Sequence, residues 1–373
     1  MNRRPSQSRS GYDSFSSRHT AHFTASSPDG SFFEPRCRRP LAPRLLALAA
    51  ALAALLLLVN FGVNRFVHVN RLTVPMRGLG EAFEGYTILH VSDLKGARFG
   101  SNQEGIALAL RGEHFDAVAL TGDMVSAMGN AQPLYALIDV LRELNPNAPI
   151  YFIPGDDDPE PLSMDYADSG SPFAPWVLGA RQRGAQLLSS PQGLNRDGQT
   201  LWLTTSSLLS LDLDAAQSQF ELRYLDAQAS GDENAIELAA YNLNALEQTR
   251  TARKAMREED VIVSLTHVPP AAQELEAAAG TLAGRVGLVL CGHYLGGLIR
   301  LPGIGPMFVP SQQLERYGLF PGASACSGLS RRGSAWVHIS TGLGDNDGHY
   351  PAPFFRLFNP PSVSLVTLTP SSL

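Results

Sequence analysis

The stretch Val286–Pro302 reads VGLVLCGHYLGGLIRLP and decides how the rest of the chain is interpreted. Its first apolar run is followed directly by Cys291, Gly292 and His293. Two more glycines and a second short apolar run close the stretch. This pattern predicts a buried strand that delivers His293 to a glycine-rich turn, which folds back into another strand. Glycine in such a turn lets the backbone pass close to a bound ion or phosphate.

Four more apolar runs in the chain also stop at an aspartate or a histidine. They are TILHVS before Asp93, DAVALTG before Asp123, PIYFIPG before Asp156 and VIVSLT before His267. In α/β sheets, binding sites form where parallel strands present their carboxyl ends along one edge. Asp and neutral His are ligands for divalent cations such as zinc, manganese or iron. The five side chains together predict a metal site, although each one alone is also compatible with an ordinary loop residue.

The order and surroundings of these residues resemble the calcineurin-like metallophosphoesterases, and most of all their membrane-anchored bacterial branch. The family pattern is D-x-H, then G-D, then G-N-H-D/E, then a lone H, and finally G-H-x-H-G-G-Q. The corresponding stretches here are Asp93-Leu94-Lys95, Gly122-Asp123, Gly155-Asp156-Asp157-Asp158, His267 and Gly292-His293-Tyr294-Leu295-Gly296-Gly297-Leu298. The resemblance runs from about Val74 to the C-terminus. It implies an α/β fold with two packed mixed β-sheets flanked by helices.

The resemblance also implies a two-metal phosphoesterase site, of which one half is altered in this chain. The residues that it assigns to the second ion all remain metal ligands: Asp123, Asp156, His267 and His293. For the first ion only Asp93 and the shared Asp123 remain, because Lys95 and Leu295 stand where the family has histidines. Two carboxylates alone are a poor site for zinc or manganese. We therefore expect one divalent ion, which is manganese, iron or zinc.

Two altered positions are candidate catalytic residues. Asp157 replaces the histidine that assists the leaving group in the family, and an aspartate is normally ionised at neutral pH. Asp157 can act as an acid only if the neighbouring carboxylates raise its pKa; otherwise the loop has lost its catalytic function. The ammonium of Lys95 can occupy the volume of the missing cation beside Asp93, or bind a phosphate oxygen. A solvated or salt-bridged lysine is the alternative interpretation.

The N-terminal part of the chain has the pattern of a membrane anchor. Residues 1–44 contain eight arginines but no apolar periodicity, and we expect a disordered basic tail there. Residues 45–64 carry no charge and match the length of a transmembrane helix, although a cleaved signal peptide is the alternative. The arginines that precede this run predict a single-pass protein with a cytoplasmic N-terminus and an extracytoplasmic main domain.

The remaining residues divide into a short connector and one large domain. We predict a connector with a first strand over residues 65–85 and a metallophosphoesterase-like domain over residues 86–373. Alternation of strands and helices in the first half of this domain predicts parallel crossover units. A long helix is predicted to begin near Glu233, within a polar stretch. Three cysteines are too few and too scattered for a disulfide framework.

Charge and motifs leave two functions open. The chain has a net charge of −6 and no domain-wide basic patch, so a nucleic-acid partner is not expected. The first function is a membrane-anchored phosphoesterase that hydrolyses a phosphoester or pyrophosphate bond of a phosphorylated small molecule or lipid. The second is a catalytically inactive family member that binds a ligand or a partner. Arg300 and Arg356 either face an anionic substrate or form surface ion pairs, and Gly344–His349 is either a plain turn or a calcium loop.

Overall fold

The computed structural model describes residues 41–126, 128–163, 171–301, 303–309, 314, 318–345 and 356–371. The predicted basic tail lies outside the described residues up to position 40, as do positions 346–349 of the candidate calcium loop. The described residues fall into two units, residues 41–53 and the described part of residues 54–373.

A single long helix, α1, spans Leu41–Val63. It begins four residues before the predicted span of 45–64. By length and composition Ala42–Val63 can cross a membrane, and only 6% of its apolar window is buried inside the protein. The low burial separates α1 from the core helix of a soluble protein, whereas a signal sequence would have the same length and composition.

The rest of the chain alternates between strands and helices. The strands are β1 (His68–Met76), β2 (Thr87–Val91), β3 (Ala117–Thr121), β4 (Ile150–Ile153), β5 (Ala185–Leu187), β6 (Gln192–Arg196), β7 (Gln199–Thr204), β8 (Val261–Leu265), β9 (Val286–Cys291), β10 (Arg300–Leu301), β11 (Gly305–Pro306), β12 (Gly328–Arg332), β13 (Ala335–Ile339) and β14 (Ser362–Pro370). The helices after α1 are α2 (Glu104–Ala109), α3 (Gln132–Leu144), α4 (Pro175–Gln182), α5 (Ser206–Ser210), α6 (Leu213–Ser230), α7 (Glu233–Ala255), α8 (Ala272–Ala277) and α9 (Ala323–Cys326).

Twelve of these strands form two mixed sheets, and β10 pairs with β11 in a separate hairpin. The first sheet has the order β1-β14-β2-β3-β4-β5 and the second has the order β12-β13-β9-β8-β7-β6. Strands β2 to β5 are parallel, as are β7, β8, β9 and β13. Antiparallel pairs form where β14 meets β2 and at the two edges of the second sheet. The predicted α/β architecture with two mixed sheets is confirmed.

The segment 65–85, predicted as a connector with a first strand, contains the strand β1. Its strand β1 pairs in parallel with β14 along nine residues, from His68 opposite Ser362 to Met76 opposite Pro370. The strand is therefore hydrogen-bonded to β14 at the edge of the first sheet, and residues 68–76 do not form a free extended tether.

The two sheets pack face to face between two layers of helices. Apolar side chains of both sheets meet in one buried cluster, which includes Ile88 from β2 and Leu288 from β9. Helices α2, α3 and α4 cover the outer face of the first sheet, with Leu137 fully buried there. Helices α5, α7 and α8 contribute to the buried cluster on the outer face of the second sheet. Because each sheet is covered on both of its faces, its strands are buried on both faces and are apolar.

Helix α6 is an element that the sequence analysis did not predict, whereas α7 begins at the predicted Glu233. The side chain of Asp212 caps α6 by accepting hydrogen bonds from the backbone N–H groups of Asp214 and Ala215. Gly231 ends α6 in a left-handed conformation. Leu222 is 64% exposed, and α6 has no single apolar face. Hydrophobic periodicity therefore does not indicate α6, whereas its capping residues and its helix-favouring composition do.

Removal of a side chain from the cluster between the sheets should destabilise the protein. Leu288→Ala leaves a cavity at a fully buried position, and we expect a loss of about 2–5 kcal/mol in the free energy of unfolding. The matched control Leu222→Ala, on exposed α6, should change it by less than about 0.5 kcal/mol. Denaturant unfolding of the detergent-solubilised protein measures both. Equal effects of the two variants would contradict the described packing.

Candidate metal site

The carboxyl ends of five parallel strands meet at one end of the sandwich. In the first sheet Asp93, Asp123 and Asp156 follow β2, β3 and β4, which are neighbours. In the second sheet His267 and His293 follow β8 and β9, which are also neighbours. The structure therefore brings together all five side chains that strand-end reasoning selected.

The loops that carry these side chains turn sharply as soon as the strands end. Five non-glycine residues of the site have a left-handed backbone, with φ between 47° and 71°: Asp93, Lys95, Asp123, His293 and Leu295. This conformation is unfavourable for residues with a Cβ atom and is concentrated at functional sites. Gly292 makes the close approach of the two sheets possible, since a Cβ atom there would lie 1.8 Å from Ser92 Oγ. The site is thus built on strained loops held by a tight contact.

Two overlapping triads of ligand atoms form in this region. One consists of Asp156, His267 and His293, the other of Asp93, Asp123 and His267, and within each the atoms lie within 4.8 Å of one another. In the first triad His293 Nδ1 lies 3.3 Å from His267 Nε2 and 3.5 Å from Asp156 Oδ2. Ligands at the usual 2.0–2.1 Å from a tetrahedral zinc ion are about 3.3 Å apart. The first triad therefore fits a divalent ion.

His267 is held so that one ring nitrogen points into both triads. Its Nδ1–H donates to the backbone carbonyl of Thr121 at 2.8 Å, and its Nε2 lies 3.1 Å from Asp123 Oδ2. Burial lowers the pKa of His267, but the hydrogen bond to Asp123 and the charges of Asp93 and Asp123 outweigh burial and raise the pKa to about 9. A backbone acceptor on the distal nitrogen is the arrangement that orients metal-binding histidines. An incoming ion would displace a proton from Nε2.

Lys95 occupies the other side of the site. Its ammonium donates to Asp123 Oδ2 at 2.6 Å and to a carboxylate oxygen of Asp157. Burial lowers the pKa of Lys95, but Asp123 and Asp93 outweigh burial and raise the pKa above its ordinary value. Lys95 is therefore neither solvated nor peripheral. Its positive charge lies against the shared carboxylate Asp123, where the family resemblance places the first cation.

The three aspartates after β4 lie in different environments. Asp156 is 59% exposed at its side chain, while the backbone N–H of Asp157 donates to Asp123 Oδ1 at 2.9 Å. Burial raises the pKa of Asp158 to about 6, against the hydrogen bonds that it accepts from Val125 N and Gly155 N. Asp157 pairs with an ammonium. A role as an acid would instead require negatively charged neighbours.

Neither arginine matches the two alternatives considered from the sequence. Arg356 is buried, and its guanidinium donates to four backbone carbonyls, those of Thr341, Gly342, Gly344 and Asn359. Arg300 donates to the carbonyl of Gly296 at 2.8 Å and to Ser327 Oγ at 2.9 Å. Both arginines therefore hold loops around the site, because carbonyls that leave regular structure need donors when they are buried.

Sequence reasoning missed several supporting residues. Ser92 Oγ donates to Asp93 Oδ2 at 2.5 Å, and the backbone N–H of His293 lies 3.1 Å from the same oxygen. Behind the site, the buried His90 contacts His338 Nδ1 and Thr121 Oγ1, each at 2.8 Å. The position of Ser92 directly before Asp93 in the sequence could have indicated that Ser92 supports Asp93. No local sequence pattern predicts a contact between two histidines that are 248 residues apart.

Comparison with known proteins assigns no family to the chain. No family model and no curated protein matches it. Among solved structures, the phosphopantetheinyl hydrolase PptH from Mycobacterium tuberculosis is 12% identical with a TM-score of 0.35, covering 78% of this chain and 98% of that one. The protein TT1561 of Thermus thermophilus is 13% identical with a TM-score of 0.35, covering 70% of this chain and 91% of that one.

We expect the purified protein to bind one divalent ion per chain. The double change His267→Ala and His293→Ala removes two donors of the first triad and should abolish binding. His114→Ala is the matched control, because His114 is an exposed histidine outside both triads. Elemental analysis after dialysis against manganese, iron or zinc measures the content. Two ions per chain, or one ion that survives the double change, would contradict this assignment.

Proposed function

We propose that this chain is a metal-dependent phosphoester hydrolase of the calcineurin-like type that works with one divalent ion. The observation that supports it most is the triad Asp156, His267 and His293, whose donor atoms are spaced for one ion. The motif order that resembles the membrane-anchored bacterial branch supports the reaction class. Manganese, iron and zinc all suit a donor set of imidazole and carboxylate.

The residues of the site have separate roles in this proposal. An ion held by Asp156, His267 and His293 would supply an activated water and a positive charge for the phosphate oxygens. Thr121 orients His267 through its carbonyl, and Lys95 neutralises Asp123. An ammonium has three donors, of which Asp123 and Asp157 take two. The third can bind an oxygen of the substrate phosphate, and Asp157 then acts by holding Lys95 in place.

One observation favours the second candidate function, an inactive module that binds a ligand or a partner. Lys95 forms ion pairs with Asp123 and Asp157, and Leu295 offers no ligand atom, so a first ion at the triad of Asp93, Asp123 and His267 would have to compete with the ammonium. A single cation and an ammonium provide less charge stabilisation than two divalent ions. Such a site can still bind a phosphorylated small molecule or a lipid headgroup without hydrolysing it.

Membrane anchoring belongs to the same proposal. Helix α1 is long and apolar enough to span a bilayer, and arginines crowd the sequence before it. The positive-inside rule then places the N-terminus in the cytoplasm and the main domain outside it. A lipid-linked or envelope substrate fits this placement.

Hydrolysis of a generic phosphodiester such as bis-p-nitrophenyl phosphate should be measurable but slow with the metal-loaded protein. A missing positioned acid alone costs about a hundredfold to ten-thousandfold in rate. The double change His267→Ala and His293→Ala should abolish the activity. If no loaded metal gives hydrolysis of phosphodiesters, phosphomonoesters or pyrophosphate, the inactive binding module is the correct function.

The restoring triple change Lys95→His, Asp157→His and Leu295→His extends this test. It should raise both the metal content and the rate, while the three single changes should do little because a half-built site does not hold the ion. A wild-type rate typical of enzymes that Lys95→Met abolishes would instead show that Lys95 is an essential part of an unusual catalytic centre.

The orientation has its own test. A reporter fused after Leu373 should be active only on the extracytoplasmic side, because the arginines before α1 retain the N-terminus in the cytoplasm. A fusion after residue 40 should give the opposite signal and serves as the control. A cytoplasmic signal from the C-terminal fusion would overturn the proposed topology.

A further inference from the structure

A cavity of about 520 Å³ lies beside the carboxyl end of α1, within the unit of residues 54–373. Leu57, Phe61 and Arg65 line it from α1 and the turn that follows. Arg98 and Asp345 line it from two loops of the domain. None of the five candidate metal ligands is among its lining residues, so the cavity is separate from the metal site.

Specific contacts hold the end of α1 against the domain and thereby fix the shape of the cavity. The buried side chain of Asn60 donates from Nδ2 to the carbonyl of Arg356 at 2.7 Å. Its Oδ1 accepts the backbone N–H of Phe358 at 2.7 Å. Asn64, one turn further on, donates to the same carbonyl of Arg356 at 2.5 Å. A buried asparagine at the end of an apolar helix is costly unless it is paired, so these contacts give the junction a defined geometry.

Two positive charges at the cavity lack an acidic partner. Within the part of the chain that the structure describes, neither Arg65 nor Arg98 forms an ion pair, and both are exposed. The guanidinium of Arg65 lies 4.6 Å from the centre of the Phe61 ring. Arg356 also lines the cavity, but its donors are used by backbone carbonyls. Arg65 and Arg98 are therefore available to bind an anion.

The apolar side of the cavity belongs to the helix that can span a membrane. Leu57 and Phe61 are more than half exposed and lie in the last two turns of α1. Where a transmembrane helix ends, its apolar side chains contact lipid tails, and arginines just beyond them lie at the level of the headgroups. The cavity thus combines a hydrocarbon-facing wall with two cations at headgroup depth.

We propose that this cavity binds the headgroup of one anionic phospholipid from the membrane that α1 spans. Arg65 and Arg98 would bind the phosphodiester, and Leu57 and Phe61 would contact the start of an acyl chain. The carboxylate of Asp345 would accept hydrogen bonds from headgroup hydroxyls, which favours a glycerol headgroup. The bound lipid has a structural role and is not a substrate. The proposal depends on the membrane location of α1 and not on phosphoester hydrolysis.

Native mass spectrometry of the full chain tests the proposal. The protein is reconstituted in nanodiscs of equimolar phosphatidylcholine and phosphatidylglycerol, and then transferred into a mild detergent. We expect one retained phosphatidylglycerol per chain, in preference to phosphatidylcholine. The double change Arg65→Gln and Arg98→Gln should reduce this preference about tenfold or more, since each arginine near an anionic lipid surface contributes about 1 kcal/mol.

A second double variant controls for unspecific attraction between charges. Arg223→Gln and Arg331→Gln change the net charge equally, at two exposed arginines that do not line the cavity. This variant should retain the lipid as the wild type does, and thermal unfolding verifies that both double variants are folded. No preference in the wild type, or an equal loss in both double variants, would overturn the proposal. Displacement of the lipid by inorganic phosphate at equal concentration would show that the cavity binds a soluble anion instead.

Discussion

The ion pair between Lys95 and Asp123 determines the charge balance of the whole strand-end region. Asp123 is buried against His267 as well, and a buried carboxylate without positive partners is strongly destabilising. In a two-metal site the cations provide this compensation. Here the chain carries a permanent cation of its own, so the loops after β2, β3 and β4 can keep their positions without a first ion. The ammonium that neutralises Asp123 would also compete with an ion bound by Asp93, Asp123 and His267.

His267 connects the half of the site in which the charges are balanced to the half that can still bind a metal ion. It belongs to both triads, and its Nδ1–H donates to Thr121 in the opposite sheet. The two sheets are thereby tied together at the functional edge by a hydrogen bond, in addition to the apolar cluster between them. A shift of either sheet would move Nε2 relative to Asp156 and His293. The metal geometry therefore depends on the packing of the sandwich, which is rigid because its interior is close-packed.

The sequence was most informative where chemistry and strand patterns coincide. Apolar runs that end in Asp or His predicted both the parallel strands and the cluster at their carboxyl ends, since strand period and sheet topology determine where those ends lie. The sequence was least informative where tertiary contacts determine the structure or the role of a residue. The role of Arg356 depends on carbonyls exposed by the loops around it, and α6 lacks the apolar stripe on which periodicity relies. The distinction between Asp157 and Asp158 depends on burial, which three consecutive aspartates do not reveal.

The contacts of Asn60 and Asn64 with the loop at residues 356–358 affect where the chain can be divided. A crystallographer would remove α1 at its last apolar residue to obtain a soluble fragment. That cut would delete Asn60, leaving the carbonyl of Arg356 and the N–H of Phe358 without this partner. The same loop is held by the guanidinium of Arg356, which also supports Gly342 and Gly344 next to Asp93. The natural boundary for a soluble fragment therefore lies inside α1, upstream of residue 60, with the last helical turns kept as part of the domain.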